Sequence, residues 1–210
     1  MLTIAAKVLE AAIEHYDIEN EKDKKQYIWN LYRIYHQLPF HIYDIKVRGN
    51  CIDKNKEISL IKRGMGIILN NKVLTLAHIA KFKRCKTDLD KLGIKLYSHY
   101  DSKLKSGIQL EREIIDYEKD LAIFKIPKNI KVEDFPCKPS EKISLGEEIY
   151  LLGNPGLKGF NIRKAYISDL DGVDGDEETY SCFGIDKTII PGDSGTPVVN
   201  SKFELVGLVQ

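Results

Sequence analysis

Three widely separated segments carry side chains able to do chemistry together. Val73-Leu-Thr-Leu-Ala-His78 is an apolar run that ends in an imidazole. Asp116-Tyr-Glu-Lys-Asp120-Leu-Ala-Ile-Phe-Lys-Ile126 sets a carboxylate directly before another apolar run. Ile190-Pro-Gly-Asp-Ser194-Gly-Thr-Pro197 places a serine in a glycine-rich turn. Each has a plain structural reading when taken alone: a histidine at a strand end, a turn aspartate and a flexible turn. Together they supply what an alcohol needs to attack a carbon. A serine hydroxyl is a weak nucleophile at neutral pH and needs a base within hydrogen-bond reach. An imidazole suits that task because its pKa lies near the working pH. A carboxylate behind the ring, from Asp116 or Asp120, fixes its tautomer and balances the imidazolium that forms. The glycines around Ser194 leave its hydroxyl unobstructed and let the N–H groups of Gly192 and Ser194 point at one place.

The elements that must position these groups are legible as changes in texture. Ile4, Val8, Ala11 and Ala12 recur at helical spacing, as do Ile28, Leu31, Tyr32 and Tyr35, with a charged connection from Asp17 to Asp23 and a stop at Pro39. A helical pair is therefore expected over residues 1–42, as an extension on a body spanning 43–210. From Tyr43 onward short β-branched runs alternate with Gly, Asn, Asp and Pro. Strands are predicted at Ile58–Leu69, Val73–Leu76, Ile94–Tyr97, Ile108–Ile115, Leu121–Ile126, Glu148–Leu152, Phe160–Ser168, Thr179–Ile185, Gly195–Val199 and Phe203–Val209. Many short strands without intervening helices predict a mainly β body, an antiparallel sandwich or barrel.

Composition narrows the function classes. With 43% hydrophobic residues and a near-neutral balance (32 Lys+Arg against 31 Asp+Glu), the 210-residue chain is too apolar for disorder. A formal charge of +1 argues against a bulk electrostatic grip on nucleic acid, so nucleic acid is not an expected partner. No stretch approaches the ~20 apolar residues that span a bilayer, and no membrane partner is expected. The first residues lack a basic leader, and Lys7, Glu10 and Glu14 interrupt any signal-like apolar run. Cys51, Cys85, Cys137 and Cys182 lie far apart with no CxxC, which reads as free thiols in a reducing, cytoplasmic compartment. Two charged stretches, the basic one from Lys81 to Lys105 and the acidic one from Asp169 to Glu178, read first as solvated loops. The acidic run has the carboxylates and glycines that calcium favours but not the EF-hand spacing, and no metal is expected.

The order His78, Asp120, Ser194 and the motifs around them resemble the trypsin-like (chymotrypsin-fold) serine proteases, with their Thr-Ala-Ala-His, Asp-Leu-Ala and Gly-Asp-Ser-Gly signatures. Arg63-Gly-Met-Gly-Ile-Ile-Leu69, Glu148-Ile-Tyr-Leu-Leu-Gly-Asn-Pro-Gly156 and Phe203-Glu-Leu-Val-Gly-Leu-Val209 resemble segments of the bacterial HtrA/DegP-like and glutamyl-endopeptidase-like branch. The resemblance covers residues 58–210 and implies two six-stranded antiparallel β-barrels with the site in the cleft between them. It implies peptide-bond hydrolysis through an acyl-enzyme. Ser194 would be the nucleophile, His78 the base and Asp120, the acid directly before Leu-Ala, its partner. The N–H groups of Gly192 and Ser194 would form the oxyanion hole, with no cofactor. Thr188, Ile189, Val209 and Gln210 would line the substrate pocket. Thr188 in place of an acid at the pocket floor gives no support for Arg or Lys at the cleavage site, and Val209 stands where the glutamyl branch has a histidine. An apolar residue of small or medium size is expected there instead.

The departures carry expectations of their own. Ile79 follows His78 where secreted members have a cysteine, and no Ile-Val-Gly-Gly activation site is present. Sixteen residues follow Ser194, fewer than the family's usual run, so the second barrel is expected to be short at its C-terminal end. The helical extension has no counterpart in the resemblance, and Tyr27, Trp29, Tyr32 and Tyr35 offer a surface for a protein partner. The expected activity is a serine endopeptidase acting on proteins or peptides in processing or quality control. The alternative is a catalytically impaired module of the same fold that binds a protein or nucleic-acid partner.

Overall fold

The computed structural model describes residues 21–53, 56–82, 92–172 and 182–210. The first expected helical run over residues 4–12, the Lys83–Lys91 part of the basic stretch, Cys85 and the acidic run Asp174–Glu178 lie outside the described residues. The second expected helix is α1, Glu21–His36, with Arg33 and His36 in its last turn, where cations suit the helix dipole. Its inner face repeats at helical spacing through Tyr27, Asn30, Leu31 and Ile34. Tyr32, Tyr35 and Trp29 point outward, the last about half exposed at 52%. A 3-10 turn at Leu38–His41, with Pro39 in its first positions, ends the run and delivers the chain into the first strand.

Among the described residues, thirteen strands form two curled sheets. The first holds β1 (Ile42–Asp53), β2 (Lys56–Leu69), β3 (Lys72–Leu76), β4 (Gly93–Ser98), β5 (Ile108–Gln109), β6 (Glu111–Asp116) and β7 (Leu121–Lys125). Its order is β5-β4-β1-β2-β3-β7-β6, and the outermost strands β5 and β6 are consecutive in the chain, separated by Leu110 alone. The sheet thus curls until its two edges meet. The seventh strand arises because the expected run Ile108–Ile115 breaks at Leu110, whose N–H bonds to Ile94 O instead of continuing one ladder. Between β2 and β3 a two-residue turn puts Asn70 and Asn71 at φ +51° and +58°. Such a turn twists with its strands, and asparagine tolerates that backbone. Asp134 accepts both of its N–H groups at 3.0 Å.

The second sheet holds β8 (Lys138–Pro139), β9 (Glu148–Gly153), β10 (Asn161–Gly172), β11 (Cys182–Ile185), β12 (Pro197–Asn200) and β13 (Glu204–Leu208). Its order is β11-β10-β9-β12-β13-β8, with the two-residue β8 parallel to β13 and β11 at the opposite edge. The predicted strand list omitted β1, although Tyr43, Ile45, Val47 and Gly49 alternate inward along it. β1 pairs with β2 from Ile42↔Ile67 to Asp53↔Lys56 and with β4 on its other side.

Among the described residues, apolar burial falls into three clusters. One fills the first half-barrel around Ile45, Val47, Ile68, Val73, Leu96 and Phe124. Another fills the second around Ile149, Leu151, Ile167 and Val198. The third joins the two sheets: Leu31 and Ile34 of α1 meet Met65 and Ile67 of β2, Tyr150 and Leu152 of β9, and Val199 of β12. The helix therefore contributes to the core between the sheets. Tyr27 Oη adds a hydrogen bond to Glu148 Oε1 at 2.8 Å. Among the described residues no helix is long and apolar enough to cross a membrane.

Candidate active site

His78 sits in a short helical turn, α2 (Ala77–Ala80), entered directly from β3. Ala77, Ile79 and Ala80 are buried, so the turn is fixed from beneath while the imidazole side chain is 42% exposed. The Lys62 ammonium donates to His78 O at 2.6 Å and to Lys81 O, satisfying carbonyls that the short turn leaves open. Asp120 stands at the start of β7, in register beside β3. Its φ of +43° is the left-handed region, which aspartate tolerates better than most residues. There it makes three contacts with the α2 entry. Its carbonyl accepts from Ala77 N–H at 3.0 Å, Oδ1 accepts from His78 N–H at 2.7 Å, and Oδ2 lies 2.6 Å from His78 Nδ1.

Asp116 is engaged elsewhere, accepting from Lys119 N–H at 2.9 Å in the β6–β7 turn. Of the two candidate acids, Asp120 is the one that meets the imidazole.

Ser194 comes from the other sheet, in the tight turn before β12. Its Oγ lies 2.9 Å from His78 Nε2, completing a continuous polar chain Asp120–His78–Ser194 across the cleft. The two sheets are laced together at this point, because Met65 N–H donates to Ser194 O at 2.8 Å. Gly195 has φ +81°, and a Cβ there would lie 2.0 Å from Met65 O. Only a residue with no side chain fits so close to β2. Gly192 has φ +103°, and a Cβ there would meet Asn154 O at 2.7 Å. The backbone around Ser194 is sorted by partner. Asp193 N–H bonds to Ile190 O, Gly195 N–H to Val209 O and Thr196 N–H to Asp193 O. Among the described residues the N–H groups of Gly192 and Ser194 have no such acceptor.

The turn rests on a charge pair that the sequence reading did not single out. Asp193 is fully buried, and its carboxylate takes the Arg163 guanidinium from β10. The same carboxylate accepts from Ile190 N–H at 2.9 Å, and Arg163 also donates to Thr188 O at 3.3 Å. The signal in the sequence was an acid next to the serine in a turn whose flanks are apolar, which calls for a cation from elsewhere in the chain.

The remaining expected site residues fall in different places. Thr188, Ile189 and Gln210 are exposed. Val209 is 6% exposed and packs in the second half-barrel's cluster with Ile149, Leu151 and Val198. Its N–H donates to Thr196 O, so its backbone braces the serine turn. Of the cysteines, Cys137 is a buried free thiol and Cys182 is a half-buried one.

Residues 64–208 match the trypsin-like peptidase domain. A serine protease HtrA-like protein of Staphylococcus haemolyticus is 35% identical over 105 residues, 45% of this chain and 16% of its own length. A DegP-like protein of Pseudomonas putida, named as a periplasmic serine endoprotease, is 28% identical over 158 residues, 74% of this chain and 30% of its own. The chain thus spans less than a third of the length of these curated relatives. Among solved structures, the active form of the Rv3671c protease from M. tuberculosis superposes with a TM-score of 0.61 at 20% identity, over 86% of this chain and 74% of that one. The HtrA-type protease AlgW with a tripeptide gives a TM-score of 0.61 at 19% identity, over 85% of this chain and 53% of that one. With the family match extending over most of the β body, from the strand that carries Gly64 to the one that ends at Leu208, the chain belongs to the trypsin-like peptidase domain family.

Proposed function

We propose that this chain is a serine endopeptidase in which Ser194 is the nucleophile, His78 the general base and acid, and Asp120 the residue that orients the imidazole. The observation that carries the reading is the unbroken chain of contacts at 2.6 and 2.9 Å from Asp120 through His78 to Ser194. With Asp120 ionised, Nδ1 holds its proton toward the carboxylate and Nε2 accepts from the serine hydroxyl. Ser194 Oγ then bonds to the peptide carbonyl carbon as its proton passes to Nε2. The oxygen that becomes negative is received by the N–H groups of Gly192 and Ser194. Collapse of that intermediate expels the amine, which leaves with the proton from His78. Water, activated by the same imidazole, then releases the acyl group. Each oxyanion donor is worth on the order of 10²–10³ in rate, and loss of the serine about 10⁶.

The substrates in this reading are proteins or peptides, and the setting is protein processing or quality control in the cytoplasm. The compartment rests on the wide spacing of the four cysteines and on Ile79 after the histidine. A fluorophosphonate probe tests the chemistry directly. Labelling of Ser194 that disappears in Ser194→Ala and His78→Ala is the expected result, and a folded protein that takes up no probe overturns it. Fractionation of the producing cell tests the compartment.

A further inference from the structure

We infer that the cleft receives an acidic side chain from the leaving half of the substrate, in a basic subsite beside Ser194; this deepens the hydrolase reading and rests on it. A cavity of about 290 Å³ opens between the sheets, with Asp44, Lys46, Arg63, Lys105, Asn154 and Leu157 in its walls. Two links join it to the serine turn. In one wall, Arg63 is followed on β2 by Gly64 and Met65. Met65 N–H donates to Ser194 O at 2.8 Å, and a Cβ on Gly64 would stand 2.9 Å from that same oxygen. In the other wall, Asn154 and Leu157 belong to the turn that closes over Gly192. There Gly156 N–H donates to Pro191 O at 2.9 Å, and Asn154 O and Leu157 N stand where a Gly192 Cβ would go.

The side of the cleft follows from the sheets. Thr188, Ile189, Val209 and Gln210, expected to line the pocket for the residue whose carbonyl Ser194 attacks, all belong to the second sheet and its loops. The cavity takes most of its wall from the first sheet, from β1, β2, β4 and the short helix α3 (Ser102–Lys105). With the acyl half on the second sheet, this wall is the side left for the chain beyond the cleaved bond.

Its charge is one-sided. Lys46, Arg63 and Lys105 contribute three cations, and among the described residues none of them has an ion-pair partner. Asp44 is the one carboxylate. It is already approached by His99 Nε2 at 3.3 Å and by the Asn154 amide at 3.5 Å. A glutamate or aspartate within the first few residues after the cleaved bond would find complementary charge, and a lysine there would meet repulsion.

The test uses amidated, internally quenched peptides that share one acyl half and carry Glu, Gln or Lys at each of the first three positions after the cleaved bond. At low salt the best Glu peptide is expected to exceed its Lys counterpart in kcat/KM by roughly 3- to 10-fold, the range for two or three exposed charge pairs. The gap should close toward 1 M salt, where exposed charges are screened. Arg63→Glu with Lys105→Glu is expected to invert the order. If that double variant does not fold, the salt dependence of the unaltered protein decides the question. Fluorophosphonate labelling of Ser194, which needs nothing in the leaving half, is the separate check on the hydrolase reading. A protein that labels but cleaves Glu and Lys peptides equally, or a folded double variant that still prefers Glu, overturns the acidic subsite alone. Absence of both labelling and cleavage overturns both readings.

Discussion

The Arg163 guanidinium on β10 holds the buried carboxylate of Asp193, the residue immediately before Ser194. Asp193 is 0% exposed and Arg163 16%, so the carboxylate has no bulk water as an alternative partner. The pair ties the serine turn to the second sheet through a cation that is part of the folded chain. Breaking one side of a buried pair costs about 3–5 kcal/mol, because the other charge is left stranded. Arg163→Ala is thus expected to unfasten the turn that presents Gly192 and Ser194. In peptide hydrolysis kcat should fall by about 10²-fold, as on losing an oxyanion donor, with a smaller change in KM. Arg163→Lys should recover part of kcat, which loss of bulk packing alone would not predict. Steady-state kinetics of the two variants, with melting curves alongside, checks this.

Gly195→Ala tests the lacing between the sheets. The left-handed backbone there costs an alanine about 1–2 kcal/mol, and its methyl would collide with Met65 O, 2.0 Å away. The turn must move away from β2, which breaks the Met65–Ser194 hydrogen bond and displaces the hydroxyl from His78. Probe labelling at Ser194 should fall by at least 10²-fold while circular dichroism still reports a β-rich fold.

Cys137 sets a pH limit on stability. Burial pushes its thiol up to about 12 from an ordinary 9, against a smaller opposing pull from Arg33. Between pH 9 and 12 the unfolded thiol gives up its proton while the folded one keeps it, so the unfolded state binds fewer protons. Stability from this group is therefore complete below pH 9 and is lost as pH rises toward 12. Urea titrations of the native protein and of Cys137→Ala across that range should converge as pH rises. Thiol reagents at pH 8 should modify Cys137 only when urea opens the core.

The link between α1 and the second sheet runs through Glu148. This carboxylate receives the Tyr27 and Tyr150 hydroxyls and the Lys164 ammonium, with its side chain 10% exposed. Tyr27→Phe removes one of these donors and should cost about 1 kcal/mol. Glu148→Ala strands the other groups and should cost about 3 kcal/mol or more. Limited proteolysis should then cut α1 well before the β body in Glu148→Ala.

Much of this arrangement was written in local sequence. His78, Asp120 and Ser194 stood out because each lies at the edge of an apolar run, and each of the ten predicted strands overlaps an observed one, Ile108–Ile115 being divided at Leu110 and the Thr179–Ser181 part of Thr179–Ile185 lying outside the described residues. β1 escaped because its inward Tyr43, Ile45, Val47 and Gly49 are separated by Asp44, Lys46, Arg48 and Asn50. That is the alternation expected of a strand with one wet face, diluted by charge. Ile28, Leu31, Tyr32 and Tyr35 mark the helix by their spacing, but its buried face runs through Tyr27, Asn30, Leu31 and Ile34; Trp29, Tyr32 and Tyr35 stay exposed, while Tyr27, expected on the same outer surface, is taken up by Glu148. Aromatic rings mark an apolar face only when no aliphatic set competes for it. The Arg163–Asp193 pair was beyond local reading altogether. The two residues are 30 apart in the chain, and only the pairing of β10 with β9 and the return of the serine turn bring them together.

The shared cluster under α1 has a mechanical corollary. The proposed proton transfer from Ser194 to His78 needs two bodies held in alignment to a few tenths of an ångström, and the apolar wedge of Leu31, Ile34, Met65 and Tyr150 is the hinge pin between them. Close-packed interiors transmit a missing methylene as a shift rather than absorbing it. Shaving Ile34 to valine would then dull the proposed reaction before it loosened either half-barrel, and warming would silence that reaction ahead of the melting point.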